Sequence, residues 1–134
     1  MAYRGIEQPL TGTSILLVQD VTDIRDVFAA LLASDGAEVV AVGTALDALS
    51  RLRQRNFDVV LTDLGLPDVS GLVLIDTIVA SVARRPRIVV VTGYGEPHTS
   101  EARRAGADAI LTKPVAWSRL VSQLVPARDR ALAA

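Results

Sequence analysis

Five short runs of branched apolar residues recur along the chain, and four of them stop abruptly at a polar or charged group. They predict strands over 14–18, 38–42, 58–62, 87–91 and 109–112. Runs so short and so uniformly apolar suit strands buried on both faces, as in a parallel sheet covered by helices. Between them the pattern changes to a helical period. Ile24, Val27, Phe28, Leu31 and Leu32 fall at i, i+3, i+4, i+7 and i+8, with Thr22 as the predicted cap and Asp35-Gly36 as the stop. Behind a Gly43-Thr44 turn and cap, Ala45, Leu46, Ala48, Leu49 and Leu52 form the next inward face. Arg51, Arg53 and Arg55 lie outside it near the C-terminal end, where the helix dipole favours cations. Leu74, Ile75, Ile78, Val79 and Val82 predict a helix over 72–83. A shorter helix over 99–105 closes at Gly106. Trp117, Leu120, Val121 and Leu124 predict a last one over 116–124, ended by Pro126.

Five alternating strand–helix pairs with right-handed crossovers leave few topologies. The simplest is an α/β fold with a doubly wound five-stranded parallel sheet, order 2-1-3-4-5, and five helices. Residues 1–13 lack periodicity and are predicted as a mobile lead-in. Residues 14–125 form one predicted domain, and 126–134 a short tail.

Composition narrows the function classes. Half of the 134 residues are hydrophobic and 22% are charged, a globular balance. The net charge of −1 gives no footprint for a nucleic-acid partner. There is no cysteine, which removes disulfides and thiolate metal sites. No apolar run approaches a membrane span, and residues 1–13 lack the apolar core of a signal peptide, so the cytoplasm is the expected location. Thirteen arginines stand against a single lysine, Lys113, placed directly before Pro114. Either this is chance, or the position needs a compact, flexible ammonium where a planar guanidinium would not fit.

The predicted strands 1, 3, 4 and 5 end in Gln19-Asp20, Asp63, Thr92 and Lys113. In a parallel sheet these ends share one edge, and strands 1 and 3 flank the switch point where ligands bind. An aspartate inside the sheet would cost several kcal/mol, so Asp63 belongs at the strand's end, facing a crevice. Repulsion between Asp20 and Asp63 requires a cation. Mg²⁺, which accepts one or two carboxylates and keeps several waters, suits the pair, and Lys113 is a second candidate partner for Asp63.

With Asp63, Pro67, Gly71, Thr92 and Lys113-Pro114 at this spacing, the chain resembles response-regulator receiver domains of two-component signalling, from about 14 to 124. The resemblance implies a CheY-like, flavodoxin-like fold. It also implies that Asp63 takes a phosphoryl group from a histidine kinase or histidine phosphotransfer protein. Mg²⁺ (or Mn²⁺) would be held by Asp20, Asp63 and the Gly65 carbonyl, with Gln19 contributing through a water. Lys113 would bind a phosphoryl oxygen. Thr92 would donate its hydroxyl to the aspartyl phosphate and move toward it, switching the face formed by the fourth helix, fifth strand and fifth helix. Gly93 would leave the phosphoryl group room, and the Lys113–Pro114 peptide would be cis. Enzymatic activity would extend at most to self-phosphorylation and self-dephosphorylation. The downstream partner is open, as are a homodimer and the choice between a stand-alone regulator and part of a hybrid kinase.

Two departures stand out. Receivers usually carry two acids at the end of strand 1, and here the first is Gln19. Losing a unit charge about 5 Å from a divalent ion removes several kcal/mol of attraction at an effective dielectric of about 20, before relaxation. Weaker Mg²⁺ binding follows. Three positions before Lys113, Ile110 replaces the family's frequent aromatic and cannot make the same rotamer swing. These departures motivate an alternative, a receiver-like interaction module independent of phosphorylation. A third class is a hydrolase with an aspartate nucleophile, which wants a second acid where Gly65 stands.

The remaining signals read as scaffold. Gly93-Tyr94-Gly95 is a strand-to-helix turn. His98 is an exposed helix-start residue. Arg84, Arg85 and Arg87 form a solvated turn at a helix end. Trp117 fits the last helix's inner face, with a partner contact as the other option.

Overall fold

The structure, a computed structural model, describes residues 8–125. The strands β1 (Ser14–Val18), β2 (Glu38–Val42), β3 (Val59–Thr62), β4 (Arg87–Thr92) and β5 (Ala109–Thr112) alternate with helices α1 (Thr22–Ser34), α2 (Ala45–Gln54), α3 (Gly71–Ser81), α4 (His98–Ala105) and α5 (Trp117–Leu124). All neighbouring strands are parallel and the order is β2-β1-β3-β4-β5. This is the topology expected from the alternating pattern.

Strand alternation divides the interior into two cores. Leu16, Val18, Val60, Ile88 and Val90 pack with Ala45, Ala48, Leu52, Leu74, Ile75, Ile78 and Ala102, so α2, α3 and α4 cover one face. Ile15, Leu17, Val59, Leu61, Val89, Val91 and Leu111 pack with Leu32, Leu120, Val121 and Leu124, so α1 and α5 cover the other. Trp117 is half-buried on the inner side of α5. Its ring meets Phe28 edge-on at 5.6 Å, and its Nε1–H donates to Asp35 Oδ2 at 2.8 Å, which joins α5 to α1.

Several local expectations change. The predicted mobile lead-in does not extend to residues 8–13. Leu10 is fully buried, Leu10 N–H donates to the Asp35 carbonyl, and Thr13 N–H donates to the Leu10 carbonyl. Burial of that leucine contributes about 2 kcal/mol, which pins the segment across the end of α1. Residues 1–7 and the predicted tail at 126–134 lie outside the described residues.

On α1 the apolar stripe is wider than the face it packs. Phe28, Ala29 and Leu32 meet the core, whereas Ile24, Val27 and Leu31 are exposed, as is Val21 just before the helix. Leu46 and Val79, also expected inward, are exposed on the flanks of α2 and α3. Thr22 does not cap α1. The cap position is Val21, and the acceptor there is Gln19 Oε1, 3.1 Å from Val21 N.

The arginines at 84–87 are not a solvated helix turn, because α3 ends at Ser81. Arg85 instead pairs with Asp108 at 3.0 Å and donates to the Gly106 carbonyl. Arg87 donates to the Gln123 carbonyl and to its Oε1, at 2.8 and 2.7 Å. These contacts tie the sheet's lower edge to the ends of α4 and α5.

Candidate functional site

The parallel register sets the levels of the polar residues. Val18 pairs with Thr62 and Thr62 with Val90, so Gln19 and Asp63 leave their strands side by side. Thr92 pairs with Thr112, which places Lys113 immediately beyond. β3 and β5 are separated by β4, about 10 Å in all at the usual strand spacing. A long unbranched side chain is needed to cross that gap. Lys113 does so, with Nζ 2.8 Å from Asp63 Oδ2.

Asp63 is mostly shielded, its side chain 16% exposed, against 39% for Lys113. Its other oxygen, Oδ1, accepts from Leu64 N–H at 2.6 Å, so both carboxylate oxygens are held. Gln19, Phe28, Leu61, Val91 and Lys113 line the crevice with Asp63. Phe28 reaches it from α1, a contribution that local pattern could not reveal.

Thr92 is fully buried at the end of β4, and its Oγ1 accepts from Tyr94 N–H at 3.1 Å. Among the described residues nothing accepts the hydroxyl's own proton, which leaves it free to donate. A side-chain carbon at Gly93 would meet nothing within 4 Å, so the approach beside Thr92 is open. At Gly65 the same atom would lie 3.0 Å from the Tyr94 hydroxyl, so the exposed Tyr94 ring leans over the Asp63 loop. The His98 ring lies 5.0 Å from that of Tyr94, tilted by 44°, with its side chain half exposed, a surface position as expected. The residues 93–97 form the anticipated strand-to-helix turn.

The loop after Asp63 is shaped by a close approach. Gly71 N–H donates to the Leu64 carbonyl at 2.8 Å, and a Cβ at Gly71 would stand 2.5 Å from the Asp63 carbonyl oxygen and 2.6 Å from Leu64 Cα. Only glycine fits there. The Lys113–Pro114 peptide is cis, as the resemblance implied, and so is Glu96–Pro97.

Asp20 is exposed beside this crevice, whereas Gln19 is buried with its amide oxygen committed to Val21 N–H. Among the described residues no group of three or more His, Cys, Asp or Glu side chains is placed to share a metal. The acidic side chains at this edge, Asp20 and Asp63, offer hard carboxylate oxygens. That set fits Mg²⁺ or Mn²⁺ retaining several waters, and does not fit a softer ion that needs nitrogen or sulfur.

Sequence reasoning missed Asp68. Its Oδ1 and Oδ2 accept from Ala45 and Leu46 N–H, at 3.0 and 2.9 Å, at the start of α2. Partial desolvation opposes ionisation of this carboxyl. The amides of Leu46 and Ala45, with those of its own loop, outweigh it and hold the pKa below the ordinary value. The partners are more than twenty positions away, beyond any local signal.

Comparison with known proteins identifies the family. The family model for the response regulator receiver domain matches residues 15–125. The chain belongs to that family, whose members are signalling phosphoacceptors of two-component systems. It is 36% identical over 106 residues to the response regulator protein PilR of Pseudomonas aeruginosa, covering 78% of this chain and 24% of that one. It is 33% identical over 105 residues to the regulatory protein LuxO of Vibrio vulnificus, covering 78% and 23%. The chain thus spans about a quarter of the length of these curated relatives. Among solved structures, a CheY-like receiver domain protein from Methanospirillum hungatei superposes with a TM-score of 0.77 at 31% identity, covering 83% of this chain and 89% of that one. TrrA from Thermotoga maritima, solved in complex with Mg²⁺-BeF, gives 0.72 at 26% identity, covering 81% and 92%.

Proposed function

We propose that this domain accepts a phosphoryl group on Asp63 from a phosphohistidine of a histidine kinase or phosphotransfer protein. The observation that carries the reading is the contact of Lys113 with Asp63 at 2.8 Å, made across an intervening strand by the only lysine in the chain. An Asp63 oxygen attacks phosphorus in line. The bond from phosphorus to the imidazole nitrogen breaks as the new P–O bond forms, and the imidazole leaves with the electron pair. Lys113, which neutralises the carboxylate beforehand, passes to a phosphoryl oxygen. Leu64 N–H holds the carboxylate's orientation through Oδ1. The Thr92 hydroxyl donates to the incoming group. Asp20, Asp63 and the Gly65 carbonyl would hold a Mg²⁺ (or Mn²⁺) ion, which when bound would supply charge neutralisation for the transferring oxygens.

The exposed apolar stripe of Val21, Ile24, Val27 and Leu31 runs along α1, whose Phe28 lines the same crevice. It offers a docking surface for a donor protein that must bring its histidine to Asp63. Ile110 is half-buried against the core under α2, α3 and α4, so switching of the α4-β5-α5 face rests on Thr92 and the backbone around it.

Incubation with Mg²⁺ and acetyl phosphate tests the proposal. The expected result is a base-labile gain of one phosphoryl group by mass on the wild type and none on Asp63→Asn. No gain on the wild type would point to a module independent of phosphorylation, and turnover of many phosphoesters to a hydrolase.

A further inference from the structure

Asp68 performs a task that neither its local sequence nor the transfer chemistry accounts for. Helix α2 already has a side-chain cap, because Thr44 Oγ1 accepts from Asp47 N–H at 3.1 Å. Two further amides at that terminus, those of Ala45 and Leu46, are taken by one carboxylate projecting from the loop after Asp63. Such a two-pronged, charge-assisted contact fixes both the position and the rotation of the loop that carries the carboxylate. The loop is also restrained by the Gly71–Leu64 backbone bond at 2.8 Å, by the absence of room for any side chain at Gly71, by the Leu64 N–H bond to Asp63 Oδ1, and by Leu66 and Val69 packing on the core. Asp68 adds to these a charge-assisted contact that ties the loop directly to α2. Gly65 lies between these anchor points.

We propose that Asp68 is a positioning residue that docks the phosphoacceptor loop on α2 and so sets where the Gly65 carbonyl stands. The inference rests on the reading of Gly65 as a metal ligand. With Gln19 in place of an acid, Asp20 and Asp63 are the carboxylates that remain at the ends of β1 and β3, and the carbonyl carries a larger share of the binding. Pre-placement of that carbonyl then counts for more than it would beside a third carboxylate.

The test uses the full chain, with Asp68→Ala, Asp68→Asn and Thr44→Ala compared with the wild type. Amide hydrogen exchange at Leu64 and Gly71 is measured without metal, and MgCl₂ is then titrated while the Gly65 amide is followed by NMR. Asp68→Ala should speed exchange at both amides and weaken Mg²⁺ about tenfold, the scale on which outer partners of metal ligands act. Asp68→Asn, which keeps one acceptor oxygen, should fall between. Thr44→Ala removes a cap from the same helix and should lower the melting temperature while leaving loop exchange and Mg²⁺ affinity unchanged. Unchanged exchange and affinity in Asp68→Ala, or equal changes in Thr44→Ala, would overturn the assignment. A wild type that binds no Mg²⁺ would sink the metal reading, and the exchange comparison would still decide the role of Asp68. If Asp68→Ala does not fold, Asp68→Asn against Thr44→Ala decides it.

Discussion

Replacing Gly71 with alanine sets two effects of opposite sign against each other. Gly71 opens α3 without a positive φ. Propensity alone therefore favours alanine there, by at most about 1 kcal/mol. The new Cβ would stand 2.5 Å from the Asp63 carbonyl oxygen and 2.6 Å from Leu64 Cα, both main-chain atoms that cannot swing aside as a side-chain tip would. Overpacking of this kind costs about 1–3 kcal/mol, more where backbone must move. The clash outweighs the propensity, and Gly71→Ala should lose about 2 kcal/mol. Urea melts read from the fluorescence of the single tryptophan, Trp117, measure this, with the m-value expected to stay constant. Gly93→Ala is the control, because nothing lies within 4 Å of its added carbon and its φ is not positive. That variant should keep wild-type stability or gain slightly. The displacement in Gly71→Ala falls on the residue that carries the carboxylate, so its phosphorylation by acetyl phosphate should slow even at temperatures where it is fully folded. A Gly71→Ala protein as stable and as fast as the wild type would refute the reasoning.

Three further outcomes are expected. Lys113→Met should slow phosphorylation about 10²-fold, the usual effect of removing one preorganised donor to a developing charge, and unchanged rates in a phosphorylation assay would remove Lys113 from the chemistry. Gln19→Asp should tighten Mg²⁺ at least about tenfold, equivalent to about 1.4 kcal/mol, and equal affinities on titration would dismiss the missing charge as the weak point. Glu96 accepts hydrogen bonds from the side chains of Ser100 and Thr99 and from the Ser100 amide, which lower its pKa from 4.5 to about 2. A depressed folded-state pKa means that its stabilisation is present above pH 4.5 and is lost as pH falls toward 2. Glu96→Gln should therefore melt earlier than the wild type at neutral pH, with the difference closing below about pH 2 in a pH series of melts; a constant gap would contradict this.

The topology and the gathering of Asp63, Thr92 and Lys113 at one sheet edge were legible before any coordinates, for particular reasons. Apolar runs as uniform as 14–18 and 58–62 can only be buried on two faces. Carboxylates such as Asp63 cannot be buried with them, so the polar ends had to gather at one edge. The contact between Lys113 and Asp63 followed from the same logic, since the strand order places them two strands apart and only a long flexible cation spans that distance. What escaped was set by packing. The stripe on α1 satisfied a helical period along its whole width, yet the sheet covers only part of it, and periodicity carries no information on which flank faces solvent. Leu10 looked like part of a loose lead-in because a single buried leucine makes no pattern.

The sequence by itself therefore determined the strands, the helices, their order and the residues that meet at the sheet's edge, because burial and period are local properties of the chain. Tertiary structure alone decided how the edge is held. Asp68 reaches α2 from more than twenty residues away, and Gly71 closes against the backbone of Asp63 and Leu64. Such contacts depend on angles and clearances between elements, and no one-dimensional spacing encodes them.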